Sequence, residues 1–295
     1  MSTISLCVLL TCFNRCQTTL KCLHSLREQF SEPPLGGSVD VRVVLVDDGS
    51  SDGTGDAVRR EFPDTIVLEG DGQLFWGGGM HKAFAEAMKF NPDYYLWLND
   101  DTELLSGSLV SMLTFISGLA EKGQANSILT GATCSKETGE TTYGGVVSKH
   151  RWWPLQYRVV EPAGKPIECD TINGNCVLIP KTVADKVGNI DLTFAHYLAD
   201  HDYGYRARQQ GATLWLSDKH IGYCELSAPE RRGRKKISFR EALSRLKTPK
   251  GLPIGDVDLT PFKEWKEYSR RYGGRLWPIY FLAPYRRLLP LLWNR

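Results

Sequence analysis

The sequence has no CxxC pair, no His/Cys spacing of the kind that holds zinc, and no internal repeat or low-complexity tract. Structural zinc sites, dithiol redox chemistry and solenoid architectures are therefore set aside. An excess of one charge is missing too. Lys and Arg total 36 against 34 Asp and Glu, and a net +2 is too small to call for a nucleic-acid partner. The opening stretch MSTISLCVLLTCFNR lacks the basic start, long apolar core and small-residue cleavage site of an export signal, so it reads as a first strand. Eight cysteines, at 7, 12, 16, 22, 134, 169, 176 and 224, sit mostly in apolar runs. Such thiols behave as small buried hydrophobes, and a reducing cytoplasm is the expected compartment. The stretch LWPIYFLAPYRRLLPLLW (276–293) is apolar and aromatic, but two arginines and three prolines argue against a membrane-spanning helix.

What is present is an alternation. Apolar runs at 4–10, 41–46, 65–68 and 94–98 read as strands, and 176–180 and 213–216 read as two more. Between them lie helical patterns. Thr18 precedes a face of Leu20, Leu23 and Leu26, while Met80, Ala83, Phe84, Ala87 and Met88 recur at helical spacing. HDYGYRARQQG (201–211) predicts a helix closed by Gly211. Strand–helix alternation implies a mostly parallel α/β sheet, which binds ligands beyond the carboxyl ends of its strands. Residues 144–166, with Trp152, Trp153 and several prolines, read as an irregular segment over the cleft. Those two tryptophans would stack on a sugar or pack beneath a loop. After about residue 225 the alternation stops. Residues 1–225 are expected to form the catalytic domain and 226–295 a basic, aromatic extension, helical or irregular in form.

Three strand ends carry polar, mostly acidic loops: TCFNR after the first, DDGSSDGT after the second, NDDTE after YYLWL. One such loop is a common turn; three at one sheet edge predict a shared site. Asp47 and Asp48 could accept an imide or N1 proton from a nucleobase, or make a simple Asx turn. Asn99, Asp100 and Asp101 offer hard oxygens suited to Mg²⁺ or Mn²⁺ bridging a diphosphate. The glycines at 77–79, read as a loop just ahead of a helix, would let backbone approach an anion or simply turn the chain.

Together TCFNR, VLVDDGSSDGT and WLNDDTEL resemble the family 2 glycosyltransferases, in order, spacing and strand context, over roughly the first 225 residues. GDGQLFWGGGMHKAFAEA (70–87) resembles the corresponding loop and helix of bacterial rhamnosyltransferase-like members. The resemblance implies a GT-A fold and inverting transfer from a nucleotide-diphosphate sugar, dTDP- or UDP-linked. The sugar would be rhamnose or another deoxyhexose, and the acceptor a glycan or lipid-linked molecule of a bacterial surface polysaccharide. It assigns the nucleotide to Thr11, Asn14, Arg15, Asp47, Asp48, Gly77, Gly78, His81 and Asp100. It gives the metal, Mn²⁺ or Mg²⁺, to Asp101, supported by Asn99, which replaces the family's usual first acid, with His220 after the last strand as a further ligand. Trp76, Asn173, Gly174 and Asn175 fall to the sugar or acceptor. HYLADHDYGYRARQQG (196–211) resembles the family's acidic motif, with Ala199 where a Glu is usual; Asp200 takes the base position, and Asp202 either shares the catalytic work or pairs with Arg206 one turn on.

Two rival functions stand beside this. A nucleotidyltransferase would need a glycine-rich basic loop after strand one, which TCFNRCQTT does not provide. A silent sugar-binding or scaffold module would account for Asn99 and Ala199. The basic run RRGRKK (231–236) and the apolar tail could sit at the inner face of an anionic membrane, pack on the catalytic domain or make a homodimer contact.

Overall fold

The computed structural model describes residues 3–31, 39–150, 152–226, 238–249, 251–254 and 257–292; the run at 231–236 lies outside them. The first half alternates as expected: β1 (Ile4–Cys12), α1 (Cys16–Ser31), β2 (Val39–Asp47), α2 (Thr54–Glu61), β3 (Ile66–Glu69), α3 (Phe75–Met88) and β4 (Tyr94–Leu98). β1 pairs in parallel with both β2 and β4, and β3 extends the sheet beside β2. The carboxyl ends of these strands therefore open on one edge.

Side chains on these strands alternate with period two. Cys7, Leu9, Tyr95 and Trp97 enter one core with α3, while Leu6, Val8, Leu10, Leu96 and Leu98 enter another with α1. The sheet is thus covered on both faces, which is why its strands read as nearly unbroken apolar runs.

The second half adds β5 (Glu103–Leu104), α4 (Ser108–Glu121), β6 (Ser127–Cys134), β7 (Thr141–Tyr143), β8 (Gly145–His150), β9 (Trp153–Val159), β10 (Ile167–Glu168), β11 (Thr171–Ile172), β12 (Cys176–Pro180), α5 (Lys181–Val187), α6 (Ala199–Gln209) and β13 (Thr213–Tyr223). The main sheet runs β10-β13-β6-β12-β4-β1-β2-β3. Its parallel half is continued by β12, which is antiparallel to both β4 and β6, so the whole sheet is mixed. Residues 144–166 are more ordered than the sequence suggests. β8 and β9 form an antiparallel hairpin that β11 extends into a second small sheet. Backbone pairing there overrides the prolines, one of which, Pro154, lies within β9.

Helix α6 ends as its sequence predicts. Gly211 takes φ 83°, its N–H reaches Arg208 O, and Ala212 N–H reaches Ala207 O, the paired bonds of a Schellman cap. Beyond β13 come α7 (Phe239–Arg245), the hairpin of β14 (Leu252–Ile254) and β15 (Val257–Leu259), α8 (Phe262–Tyr272), α9 (Trp277–Leu282) and a 3₁₀ helix at Ala283–Leu292. This segment builds a small core from Ala242, Leu246, Leu252, Leu259, Tyr285 and Leu288, yet Tyr268 and Tyr280 belong to the core under the main sheet. Among the described residues, no helix is long and apolar enough to cross a membrane.

Candidate functional site

The loops after β1, β2 and β4 are knitted together at the sheet edge. Asn14, held at φ 52°, accepts from Ser51 N–H through Oδ1 (2.7 Å), while its own N–H reaches Ser50 Oγ (2.9 Å). Its side chain thus ties the first loop to the second. Thr11 donates weakly to Val46 O (3.3 Å) and packs against Gly79 of α3.

The two acids after β2 have different surroundings. Asp48 accepts three backbone N–H bonds, from Gly72, Leu74 and Phe75, at 2.9–3.1 Å. It holds the entry to α3, where unpaired N–H groups favour a carboxylate. The Asp47 carboxylate accepts from Ser50 N–H (3.0 Å), and it lines a polar cavity of about 230 Å³ with Ser50, Gly53, Gly55, Arg59 and Gly70. Of the pair, Asp47 is the one turned toward open space. Phe13, half exposed, stands near Gly72 at the rim.

Glycines 77–79 lie inside α3 rather than ahead of it, and all three are buried. A Cβ on Gly77 would fall 2.1 Å from Phe194 O, and one on Gly79 would fall 2.1 Å from Thr11 Oγ1. Protein backbone and side chain already occupy the space these residues leave. His81, one turn further, bonds Ile190 O through Nδ1 (2.7 Å) and receives Asn189 at its carbonyl. These contacts brace α3 against the 189–195 loop.

At the end of β4 the carboxylates of Asp100 and Asp101 are bridged by Arg15, whose Nη1 lies 3.4 Å from Asp100 Oδ1 and 2.8 Å from Asp101 Oδ2. Asp100 is buried and also accepts from Thr19 (3.2 Å). Burial first, and then the charge of Asp101, push its carboxyl up to about 7, against the pull of Arg15. Asn99 Oδ1 accepts from the indole N–H of Trp76 (2.8 Å), so its side chain positions a tryptophan. His220 is not brought to Asp101. Its Nε2 lies 2.7 Å from Thr141 Oγ1, and the β13-end residue that reaches Asp101 is Cys224, at 3.3 Å.

Among the described residues no three His, Cys, Asp or Glu side chains converge as a ready-made metal cage. Two adjacent carboxylates, one partly exposed, still fit a Mg²⁺ or Mn²⁺ ion of the kind completed by phosphate oxygens and water. Arg15 is the group that such an ion would have to displace.

The candidate base lies at the start of α6. Leu198, at φ 67°, turns the chain into α6, so Asp200 falls in the helix's first turn. Its Oδ2 accepts from Gly174 N–H (2.9 Å) and its Oδ1 from His201 N–H (2.8 Å). Gly174 also abuts the Trp76 ring: a Cβ there would meet Trp76 at 2.4 Å and Asp200 Cβ at 3.2 Å. Asn175 joins the same surface, its carbonyl accepting from Asn99 N–H and its amide reaching Cys224. Asn173 instead pairs with Gly144 N–H and His201. Asp202, fully buried, points away to Arg206 Nε (2.7 Å), Arg271 Nη1 (2.8 Å) and Tyr272 OH (2.6 Å).

Three neighbours escaped the sequence reading. Cys224 carried a signal, since it follows a strand that could end at the same edge. Thr19 and His201 carried none, because their contacts depend on how α1 and α6 are rotated. His201 is enclosed by Asn173, Tyr157 and Tyr268, and burial lowers its basicity despite Asp200 alongside. Of the two tryptophans at the hairpin, Trp152 faces solvent while Trp153 packs edge-on to Tyr280 at 4.8 Å.

Comparison with known proteins places this geometry. The family model for Glycosyl transferase family 2 matches residues 7–188. Two curated relatives, from Mycobacterium tuberculosis strains CDC 1551 / Oshkosh and ATCC 25618 / H37Rv, are each 25% identical over 198 residues, covering 60% of this chain and 63% of theirs. Both are described as N-acetylglucosaminyl-diphospho-decaprenol L-rhamnosyltransferase; the chain thus matches somewhat under two thirds of their length. Among solved structures, the mannosyltransferase PcManGT from Pyrobaculum calidifontis with GDP-Man and Mn²⁺ superposes at TM-score 0.52 and 14% identity, over 95% of this chain and 69% of that one. GalNAc-T7 with UDP, GalNAc and Mn²⁺ gives 0.55 and 14%, over 95% and 56%. TarS 1–349 from S. aureus gives 0.53 and 15%, over 92% and 73%. At such identities the likeness is one of fold, and that fold is the GT-A type.

Proposed function

The chain belongs to glycosyl transferase family 2, and on that premise we propose that it moves a sugar from a nucleotide diphosphate to an acceptor hydroxyl with inversion. The observation that carries this reading is the continuous line of contacts from Asn99 through Trp76 and Gly174 to Asp200. It joins the acidic motif after β4 to a carboxylate at the start of α6, from residues about a hundred apart in sequence.

In the proposed reaction the acceptor oxygen attacks the anomeric carbon from the face opposite the nucleotide. The C–O bond to the diphosphate breaks, its electron pair leaves with the nucleotide, and Asp200 takes the acceptor's proton. The N–H groups of Gly174 and His201 fix the direction of that carboxylate at the start of α6. Asp202, enclosed by two guanidiniums, orients α6. Asp47 and the cavity beside it take the base and ribose, with Thr11, Asn14 and Asp48 completing the nucleotide site by fixing the loops and the helix start around it. Asp101, with Asp100, would hold Mn²⁺ or Mg²⁺, which when bound offsets charge on the departing diphosphate. Arg15 then lies near the phosphates, and Trp76 with Asn175 borders the sugar. Gly77, Gly78 and His81 act at one remove, by fixing α3.

The relatives' name, an L-rhamnosyltransferase of a diphospho-decaprenol-linked sugar, supports rhamnose and a lipid-linked acceptor; a dTDP or UDP carrier and a role in surface polysaccharide synthesis complete the proposal. The test is incubation with dTDP-, UDP- and GDP-sugars, with and without Mn²⁺, following release of the nucleotide diphosphate and the anomeric configuration of the product by NMR. Donor-specific release with an inverted product is expected. No release or binding with any donor would sink the reading, and a retained configuration would remove Asp200 as an inverting base.

A further inference from the structure

A second cavity is lined by none of the acidic-motif residues. It holds about 450 Å³ between β9 and the C-terminal segment, within the range of about 300–1,000 Å³ typical of small-ligand pockets. Its walls are apolar and aromatic, from Trp153, Leu155, Trp265 and Tyr285, while Arg286 and Arg287 stand at its border. Two of those aromatics have their polar atoms satisfied inside the fold: Trp265 N–H reaches the carbonyls of Tyr280 and Phe281, and Tyr285 OH reaches Thr260 O. That leaves ring surface of Trp265 and Tyr285 to line the cavity. Both arginines are exposed, and neither pairs with a carboxylate among the described residues.

The surface around this cavity is also unusual. Leu276, Ile279 and Leu282 recur every third residue along α9 and its entry, and each is at least half exposed. On the following 3₁₀ helix, where residues three apart eclipse, Arg286 and Leu289 share an outward row. Trp152, 83% exposed, adjoins α9, since its carbonyl accepts from Tyr280 OH (2.8 Å). From residue 273 to 292 the sequence has three arginines and no acid. An apolar row flanked by unpaired cations, with a tryptophan at its edge, matches the chemistry of an anionic lipid interface.

We propose that this face docks on an anionic phospholipid bilayer, with lipid phosphates at Arg286 and Arg287 and an apolar chain segment in the aromatic cavity. Long arginine stems can lie along apolar surface while their heads stay with the phosphates. The arrangement stands on its own geometry and does not depend on the sugar-transfer reading, because binding is measured without donor or acceptor.

Full-length protein should float with vesicles of phosphatidylcholine and phosphatidylglycerol and stay behind with phosphatidylcholine alone. Raised salt should weaken the binding. Arg286→Gln with Arg287→Gln should reduce it roughly thirtyfold, from two lost surface charges. Leu282→Ser with Leu289→Ser should reduce it roughly tenfold while leaving the melting temperature unchanged, since both side chains are exposed. Lipids brominated on the acyl chain should quench tryptophan fluorescence, less so in Trp153→Phe. Equal binding to neutral and anionic vesicles, or stable variants that bind as wild type does, would overturn the proposal. A dimer in light scattering that Leu282→Ser dissolves, without vesicle binding, would assign the face to a second copy instead.

Discussion

Asp200 and Asp202 stand two residues apart on one helix, and their surroundings predict opposite failures. Asp200 touches only two backbone N–H groups among the described residues, so Asp200→Asn should slow transfer by about a hundredfold or more while leaving nucleotide affinity and melting temperature intact. Steady-state kinetics beside thermal melts checks this; near-normal turnover would end its assignment as the base. Asp202 is fully buried against Arg206, Arg271 and Tyr272. Asp202→Ala should cost about 3 kcal/mol, the low end for breaking a buried pair, because both guanidiniums keep some solvent contact. A denaturant melt with an unchanged midpoint would contradict that. Glu264 supplies a pH test. Its carboxyl is raised from 4.5 to about 7, chiefly by burial and against the N–H bond from Tyr197. The folded state therefore keeps a proton that the unfolded chain releases, so this group's contribution to stability falls as pH rises from about 4.5 to 7 and is flat above. Glu264→Gln should remove that part of the slope and raise the melting temperature more at pH 8 than at pH 5.

At the scale of elements, α3 is fixed by what its glycines admit. Gly77 lets the 194–195 backbone come in, with an N–H bond to Ala195 O, and Gly79 lets Thr11 come in from β1. Gly79→Ala should destabilise by about 1–3 kcal/mol through overpacking, even though alanine is the better helix former. Gly118 of α4 is the control: a Cβ there meets nothing within 4 Å, so Gly118→Ala should stabilise by about 0.5–1 kcal/mol. Melts of the two variants should move in opposite directions. If both rise, α3 has room to spare and the glycines are better explained by ligand approach.

Across the whole molecule, the C-terminal segment closes a core that the first 225 residues leave open. Tyr268 of α8 is fully buried beside Phe194 and meets the hydroxyl of Tyr157 at 2.8 Å, while Arg271 reaches across to Asp191 and Asp202. A chain cut after residue 226 should therefore lose cooperative unfolding or melt well below the full protein, as read by circular dichroism and limited proteolysis. An unchanged transition would make the extension a separate unit.

Much of the fold was legible because it rests on local pattern. Period-two strands buried on both faces, helices with one apolar stripe and Gly211 at a helix end are written in neighbouring residues, and so is the acidity of the strand ends. Of the two roles the sequence left open to Asp202, the fold shows the pairing with Arg206 that helical spacing allowed. The sequence alone thus determined the architecture of the first half and the edge at which a site would form. Only the tertiary structure decided what each side chain does there. Arg15 reaches Asp101 from 86 positions away, Trp76 claims Asn99 from 23, and Asp52 caps the first N–H of α1 from 36. Cys224, not His220, stands beside Asp101 because β13 shifts register against β6 between Leu216 and Gly222. Such pairings depend on how packed elements slide and rotate against one another, which the spacing of residues along the chain does not encode.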